Sequence, residues 1–435
     1  MGDNNSSSGR VTRRRYIRGG ALIGSGLIAG CINNTDSSDE TPTQEDSTDT
    51  STNNTNKSTG GSETTKTEAT ETETKTATET ETTPTEEPDE SYSVSIAPMG
   101  EVTFDSPPET VFTRLTHHAD MAFALGHGDG VNAMHAPKYY HALWNQFVER
   151  LPDVTLDWTG LYSSWQPSKE KLYDLDSDVH LADPAWITQQ NDWNREDIDE
   201  IASKVSPWFG NSLSDSHQKP PKEWADSYEY YGLWEQFGIV AEMFQEQERY
   251  QALKAEYDAM VSAIESGLPP ESERPTAVMI AASDVDEIYS YPLDTPGFLT
   301  AHTAPFGAKD AFEGSVEPAT VIDFEVMLDG NPDVILYLGG MEPTTNMQKR
   351  RDLFKSDPVA GEVTAVKNDR VYAQGARYQG PILNLFQLEM TAKQLYPDQF
   401  GEWPTYAEGP YPEIADDEQL FDRQRVADII NGDFE

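Results

Sequence analysis

Histidine and tyrosine side chains are the residues whose pattern bears most directly on metal chemistry. His117 and His118 are adjacent and follow a short apolar segment, while Tyr289 and His302 lie much further along the chain. Together with a carboxylate, they offer the nitrogen and oxygen atoms that bind transition metals. Adjacent histidines on a loop seldom both reach one ion, and the chain has no His-x-His or His-x-x-x-His spacing. We predict no dedicated metal site and keep direct capture of a metal ion as an alternative.

Sequence motifs of the common enzyme classes are missing. The sequence has no Gly-x-Ser-x-Gly elbow, no His-Glu-x-x-His, no Walker A loop and no Gly-x-Gly-x-x-Gly after a strand. Carboxylate pairs are too frequent in this composition to indicate acid–base catalysis. We therefore predict a protein that is not an enzyme and that needs no cofactor.

The charge of the chain excludes one class of partner. Its 76 acidic residues and 31 Lys plus Arg give a formal net charge of −45. Nucleic-acid binding depends on cations that neutralise phosphates, so a nucleic-acid partner is excluded. Self-repulsion on this scale destabilises a compact state at low salt, whereas a Debye length of about 3 Å at 1 M salt screens it. The composition predicts a salt-adapted, halophilic protein.

The N-terminal residues 1–31 have the organisation of an export signal. Residues 12–18 resemble the twin-arginine signal, and the apolar stretch 19–30 is too short to span a bilayer as a helix. Residues 27–31 resemble a lipobox, in which small residues precede a cysteine that is lipidated after cleavage. Cys31 is the single cysteine of the chain, so no internal disulfide can form. We predict a lipid anchor at Cys31 and a location on the outer face of the cytoplasmic membrane.

Two segments flanking the predicted body are acidic. Residues 32–91 are rich in Thr and Glu and lack apolar periodicity, which predicts a disordered, extended tether. Residues 401–435 form a second acidic segment, for which the sequence suggests no role.

Helical and strand patterns alternate from residue 92 onward. Residues 110–115 and 178–182 are short apolar strands, and the segments 119–126 and 168–175 are helical in period. This alternation is typical of an α/β domain with a parallel sheet. We assign residues 92–240 to this N-terminal lobe.

The same order of elements recurs after a long helical segment. Apolar residues at helical spacing predict one uninterrupted helix over 246–268, within a connecting region that we place at 241–270. Residues 276–282 and 333–337 then read as strands, and 323–328 as a helix. We assign 271–400 to a C-terminal lobe.

Four segments carry a resemblance to a known family. They are residues 111–134 with Ala124-Leu125-Gly126, residues 169–179, residues 323–335 and residues 365–372. In this order they resemble the substrate-binding proteins of ABC importers for ferric siderophores, haem and cobalamin. The resemblance implies an α/β fold with two Rossmann-like lobes, joined by a single long α-helix, and a ligand cleft between the lobes.

The resemblance also implies a docking surface. The family contacts its permease through one glutamate on each lobe, and the corresponding positions are Glu170 and Glu325. Each precedes by eight residues the aspartate that begins the next strand. Carboxylate–guanidinium pairs are short and directional, which suits the orientation of a transient complex. The partners are thus predicted to be an ABC permease with its ATPase, and the protein itself a monomer.

The ligand is expected between the lobes, at loops that follow the strands. The candidates combine aromatic rings, which give large contact areas, with an arginine and small polar groups. They are Thr116, His117, His118, Tyr162, Ser163, Ser164, Trp165 and Trp186 from the first lobe, and Tyr289, Tyr291, His302, Phe306, Arg377 and Tyr378 from the second.

A bulky iron chelate suits this set, and within the family we favour a ferric siderophore of the hydroxamate type. Cobalamin or another corrinoid, haem and a bare metal ion remain alternatives. A surface protein without a transport role is the alternative from a different class.

Overall fold

The computed structural model describes residues 91–190, 192–284, 287–314 and 319–434. The predicted export signal, Cys31 and all but the last residue of the predicted tether lie outside the described residues. Within the described ranges, no helix combines the length and apolar character needed to cross a membrane.

The N-terminal lobe is built on a parallel sheet. Its strands Val111–Thr113 and Val179–Leu181 are entirely buried and apolar or neutral, as expected of strands covered on both faces. Its strands are β1 Tyr92–Ile96, β2 Gly100–Phe104, β3 Val111–Thr113, β4 Val131–Met134, β5 Tyr162–Ser163 and β6 Val179–Leu181. Its helices are α1 Thr116–Ala124, α2 Pro137–Val148, α3 Lys169–Leu175, α4 Pro184–Ile187, α5 Arg195–Lys204 and α6 Leu233–Phe244. The order β5-β4-β3-β6 is parallel throughout, and β1 and β2 form a separate antiparallel hairpin.

Helix α7, Gln247–Gly267, connects the lobes as the sequence predicts, with ends within one residue of the expected ones. Its 21 residues span about 30 Å at 1.5 Å per residue. Leu253, Met260 and Ile264 are its buried residues and lie on one face. Pro269 and Pro270 follow it, and the second proline lacks the amide that a continuing helix requires.

The C-terminal lobe contains a mixed sheet. Its strands are β7 Thr276–Asp284, β8 Glu287–Tyr291, β9 Lys309–Asp310, β10 Thr320–Ile322, β11 Val334–Tyr337 and β12 Val371–Ala373. Its helices are α8 Phe324–Gly330, α9 Met347–Ser356, α10 Thr364–Lys367, α11 Pro381–Leu395, α12 Pro397–Phe400 and α13 Arg423–Asn431. The order is β10-β8-β7-β11-β12, with β9 beside β7, and β8 is antiparallel to both its neighbours. Only two residues separate β7 from β8, too few for a parallel crossover, so here the second lobe departs from the first.

Helices α1 and α11 pack against each other and join the two lobes through a shared core. Every residue of both helices is buried. The predicted helix over 119–126 in fact begins at Thr116, so His117 and His118 occupy its first turn. The prediction that they lie on a loop is wrong, because Leu115 already has the extended conformation of a residue that precedes a helix.

Residues 403–430 pack against both lobes. The amide of Tyr411 donates to the carbonyl of Gln146 at 2.7 Å, and Arg150 Nε donates to the carbonyl of Tyr411 at 2.5 Å. The hydroxyl of Tyr411 donates to Glu389 Oε1 of α11 at 2.6 Å. Arg423 of α13 forms a buried ion pair with the same carboxylate. This segment therefore holds the N-terminal lobe against α11.

Candidate functional site

Four side chains lie where the parallel strands of the N-terminal lobe end. Arg114 follows β3, His135 follows β4, Trp165 follows β5, and Trp186 lies in α4 just after β6. Because the carboxyl ends of parallel strands meet at one edge of a sheet, these residues converge there. Ligands of open α/β sheets bind at this edge, so it is the candidate site.

Arg114 lies between two tryptophan rings at the centre of this edge. Its guanidinium carbon is 3.7 Å from the ring centroid of Trp165 and 3.1 Å from that of Trp186. The side chain is 1% exposed, and burial lowers the pKa of its guanidinium well below the usual range. Cation–π contacts with two desolvated indoles stabilise the buried charge. Ser164 borders the group, with its hydroxyl 3.5 Å from the carbonyl of Arg114.

Histidines on both sides of Arg114 are neutral. The ring of His135 lies 4.2 Å from the ring of Trp165. Burial is the main cause that lowers the pKa of His135 to about 3, and the positive charge of Arg114 is the second. His117 and His118 contact each other at 3.9 Å between ring centroids. Burial lowers the pKa of His118 to about 3. Burial also lowers the pKa of His117 well below 6.5, and the nearby charges of His118 and Arg114 lower it further. These rings can therefore accept or donate hydrogen bonds without carrying charge.

The C-terminal lobe contributes Arg377 and Tyr378 after β12, and Tyr291 at the end of β8. The guanidinium of Arg377 lies 4.9 Å from the ring of Tyr378 and 5.8 Å from that of Tyr291. The hydroxyl of Thr116 donates to the carbonyl of Tyr378 at 2.8 Å, which joins the two lobes directly. Phe298 lies 4.9 Å from the ring of His117. Residues of both lobes thus form one interlobe cluster around Arg114, His117 and Tyr378.

An ion pair crosses the cleft beside this cluster. Arg377 Nε donates to Asp215 Oδ2 at 3.1 Å, and a second guanidinium nitrogen contacts the same oxygen. Burial lowers the pKa of Arg377, but the Asp215 carboxylate and nearby tyrosines together have the larger opposite effect. The pKa of Arg377 is therefore above its usual value. The pair holds the lobes together at the edge where the ligand is expected.

Asp183 positions the loop that carries Asp215. One of its carboxylate oxygens accepts hydrogen bonds from the amides of Ser212 and Leu213, at 2.8 and 3.1 Å, and from the hydroxyl of Tyr228 at 2.6 Å. The other oxygen accepts from the first amides of α4, which carries Trp186. The buried carboxylate of Asp183 therefore orients both Trp186, which covers Arg114, and Asp215, which pairs with Arg377.

Some predicted ligand residues lie outside the cluster. Phe306 is buried against Tyr396, which donates to its carbonyl at 2.8 Å. The hydroxyl of Tyr289 donates to Glu287 at 2.5 Å. Tyr162 lies beneath the ammonium of Lys171 at 5.4 Å, and Ser163 is exposed.

His302 is buried further back and accepts or donates a hydrogen bond at Nδ1 with Gln379, at 2.7 Å. Burial lowers its pKa to about 3. In the part of the chain that the structure describes, no group of three or more His, Cys, Asp or Glu residues is arranged to hold a metal ion.

Arg114, His135 and Phe298 in the cluster, and Asp215 beside it, were missed by sequence reasoning. A charged residue directly after the apolar segment 111–113 was a usable signal for Arg114. Asp215 lies in a loop without periodicity and Phe298 in a single turn of 3-10 helix, so their places depend on tertiary contacts.

A groove of about 580 Å³ lies between the lobes beside α7. Residues 230–235 of the N-terminal lobe form one wall, residues of the segment 297–305 form the other, and Lys254 and Tyr257 of α7 form its floor. Phe298 lines this groove and also contacts His117, so its ring belongs both to the groove and to the buried cluster.

The predicted docking glutamates occupy equivalent positions on two helices. Glu170 is the second residue of α3, which Ser168 caps by accepting from the Lys171 amide at 3.3 Å. Glu325 is the second residue of α8, which Asp323 caps by accepting from the Val326 amide at 2.8 Å. Both glutamates are exposed.

The strands after these helices begin in the same way. Asp178 Oδ2 accepts from the amide of Thr110 at 2.8 Å, and Asp333 Oδ2 accepts from the amide of Thr276 at 2.9 Å. Each aspartate ties its helix–strand unit to the start of the neighbouring parallel strand. The two lobes therefore repeat one structural unit, and Glu170 and Glu325 are related by that repeat.

Comparison with known proteins agrees with this architecture. A periplasmic solute-binding protein from Veillonella parvula DSM 2008 matches with a TM-score of 0.51 and 14% identity, over 72% of this chain and 88% of its own. A periplasmic binding protein from the same organism matches with a TM-score of 0.50 and 15% identity, over 70% and 97%. At these identities the likeness concerns the fold. No curated protein matches in sequence.

A sequence comparison identifies the class of protein. The sequence model of periplasmic binding proteins matches residues 117–378, more than half of the chain, and the chain belongs to that family. The predicted α/β class and the membership in a family of substrate-binding proteins, not of enzymes, are confirmed.

Proposed function

We propose that this protein captures a ferric siderophore outside the cytoplasmic membrane and delivers it to an ABC importer. The observation that carries the proposal is the cluster of aromatic rings and guanidinium groups at the facing edges of the two lobes. Large aromatic surfaces suit the organic periphery of a bulky chelate, and arginine suits its oxygen atoms. The four segments that resemble the siderophore, haem and cobalamin class support the same ligand type.

A hydroxamate chelate fits the charge of the cluster. Arg377 is paired with Asp215, and the low pKa values of His118 and His135 leave those rings neutral. Among the described residues of the cluster, Arg114 is thus the cation without a carboxylate partner. Three singly charged hydroxamates neutralise ferric iron, whereas three doubly charged catecholates leave a triply negative complex. The latter would be repelled by a chain of net charge −45.

Delivery is proposed to use Glu170 and Glu325 as permease contacts, with the protein acting as a monomer. A lipid on Cys31 would keep the body close to the membrane, and the acidic segment over 32–91 would act as its tether. Screening of the acidic surface by concentrated salt is part of the same proposal.

A fluorescence titration tests the ligand. The protein, in high salt, is titrated with ferric trihydroxamates, ferric catecholates, cobalamin, haem and bare metal ions. Because the chain has nine tryptophans, Trp165→Phe and Trp186→Phe identify the signal from the site, and Trp403→Phe, a ring that packs against Tyr411 in the segment 403–430, serves as the control. We expect saturable quenching by a ferric trihydroxamate, reduced in the first two variants and retained in the third.

Tight binding of cobalamin or haem instead would assign the site to one of those ligands. Quenching by a bare metal ion at stoichiometric concentration would favour direct metal capture. A folded protein that binds none of these compounds would contradict the proposal.

A further inference from the structure

Unlike Arg377 and Arg423, the buried Arg114 has no carboxylate partner among the described residues. Arg377 pairs with Asp215, and Arg423 pairs with Glu389. Among the described residues, Arg114 forms no ion pair although its side chain is 1% exposed. A buried charge without an ionic partner is costly, because desolvation is not offset by a hydrogen-bonded counter-charge.

The hydrogen-bonding groups of Arg114 are also largely unused. Nη2 lies 3.5 Å from the carbonyl oxygen of Trp165, a long contact, while Nε and Nη1 have no partner among the described residues. Trp165 and Trp186 cover the guanidinium, with ring centroids at 3.7 and 3.1 Å. With rings this close, the donors that remain are those at the edge of the planar group. An edge of this kind binds two oxygens of a carboxylate side by side.

A second polar group with no partner lies beside it. Both ring nitrogens of His135 are without a partner among the described residues, and the side chain is 7% exposed. Its ring contacts the ring of Trp165, which also contacts Arg114. Asp183 influences the charge of Arg114, but its oxygens are engaged by backbone amides and by Tyr228. The unsatisfied groups therefore point to an acceptor from outside the protein.

We propose that Arg114, held between Trp165 and Trp186, binds a single acidic group of the ligand, with His135 as a neutral hydrogen-bond partner. This inference deepens the proposed function. That the ligand contains iron rests on the proposed function, whereas the binding of an acidic group by Arg114 does not. It identifies the ligand class as a chelate that carries one carboxylate outside the metal centre. The hydrogen bond from Thr116 to the carbonyl of Tyr378 joins the two lobes beside this site. In this proposal, binding of the ligand separates the lobes at this edge.

Two forms of one chelate test the inference. Ferric desferrioxamine B is acylated on its free amine, either with an acetyl group, which gives a neutral complex, or with a succinyl group, which adds one carboxylate. We expect the wild-type protein to bind the succinyl form about tenfold more tightly, as one charged hydrogen-bonded contact provides. Arg114→Gln should abolish this preference, so that the variant binds the two forms with equal affinity.

Arg195→Gln is the matched control. The guanidinium of Arg195 also lies over an indole ring, 3.9 Å from Trp224, but pairs with Asp199 on the surface. The Arg195→Gln variant should prefer the succinyl form by the same factor as the wild type. Arg114→Lys, which keeps the charge without the planar edge, should show an intermediate preference. Near-ultraviolet circular dichroism checks that each variant is folded.

Equal affinity of the wild type for the two forms, or a preference that survives in folded Arg114→Gln, would overturn the inference. If neither ferric form binds, iron-free citrate decides: saturable citrate binding that Arg114→Gln abolishes supports the acidic-group site even though the iron proposal fails. If citrate does not bind either, the assignment of Arg114 is wrong. Loss of both forms in folded Arg114→Gln would show a packing role and also contradict the inference.

Discussion

The guanidinium of Arg377 and the carboxylate of Asp215 form an ion pair that links the two lobes across the cleft. The side chain of Asp215 is 1% exposed and that of Arg377 is 19% exposed. Removing one partner leaves the other charge largely buried, so we expect Asp215→Asn to lower the free energy of unfolding by about 3 kcal/mol. Denaturant unfolding in high salt measures the change.

The double variant Asp215→Asn with Arg377→Met separates the pair from its surroundings. Because neither charge is then left uncompensated, it should be more stable than the sum of the two single effects predicts. Additive effects would show that the ion pair does not couple the lobes energetically.

Reversal of both docking charges should stop transport. Glu170→Lys combined with Glu325→Lys replaces both carboxylates that are proposed to pair with permease arginines. We expect uptake of the labelled ligand by cells to be lost, while the affinity of the purified protein for the ligand is unchanged.

Glu196→Lys is the control for this reversal, because Glu196 is the exposed second residue of α5 and its reversal carries the same helix-dipole cost. Uptake should be normal in this variant. Normal uptake by the double variant would remove Glu170 and Glu325 from the transport mechanism.

The contact between α13 and α11 should contribute strongly to stability. Arg423→Met leaves the Glu389 carboxylate, which is fully buried, without its ionic partner. We expect a loss of about 3 to 5 kcal/mol in the free energy of unfolding. Arg425→Met, two residues along the same helix and partly exposed, should change it by less than about 1 kcal/mol. Similar losses in the two variants would contradict the role given to this ion pair.

Stability should depend on the ionisation of Asp120. Burial between α1 and α11 raises the pKa of its carboxyl group from 3.8 to about 7. The folded state therefore holds the proton more tightly than the unfolded state. This contribution is complete below the unfolded pKa and is lost as the pH rises through the folded pKa.

Asp120→Asn removes this titration while retaining an oxygen that can accept from the amide of Leu383, as Asp120 does at 3.1 Å. Between about pH 4 and pH 7, the wild type should lose stability relative to the variant by at most about 1.4 kcal/mol per pH unit. Urea unfolding at several pH values measures both. Parallel profiles for the two proteins would show that Asp120 has an ordinary pKa.

Salt should stabilise the folded body. With a net charge of −45, the chain gains from screening when the Debye length falls to about 3 Å near 1 M salt. The melting temperature of the protein should rise steadily from dilute buffer to multimolar KCl. A melting temperature that does not change over this range would contradict salt adaptation.

Elements with strong local periodicity were predictable from the sequence, and the site was predictable only in part. Helix α7 was placed within one residue at each end, because its buried residues recur at helical spacing and prolines follow it. The start of α1 was missed, since Thr116, His117 and His118 offer no apolar period. Arg114 and Asp215 come together with residues of the other lobe or of distant loops, and no local pattern encodes those contacts.

The segment 403–430 has a consequence for how the protein is made. Through Tyr411 it covers α11 and α2, and through α13 it contacts α7. The surfaces of these three helices that it covers therefore stay exposed until the segment has folded onto them. Ribosomes add these residues after both sheets have been synthesised. The tertiary structure is therefore completed only after residue 430 has been synthesised, and a nascent chain ending before Tyr411 exposes apolar surface that chaperones would bind.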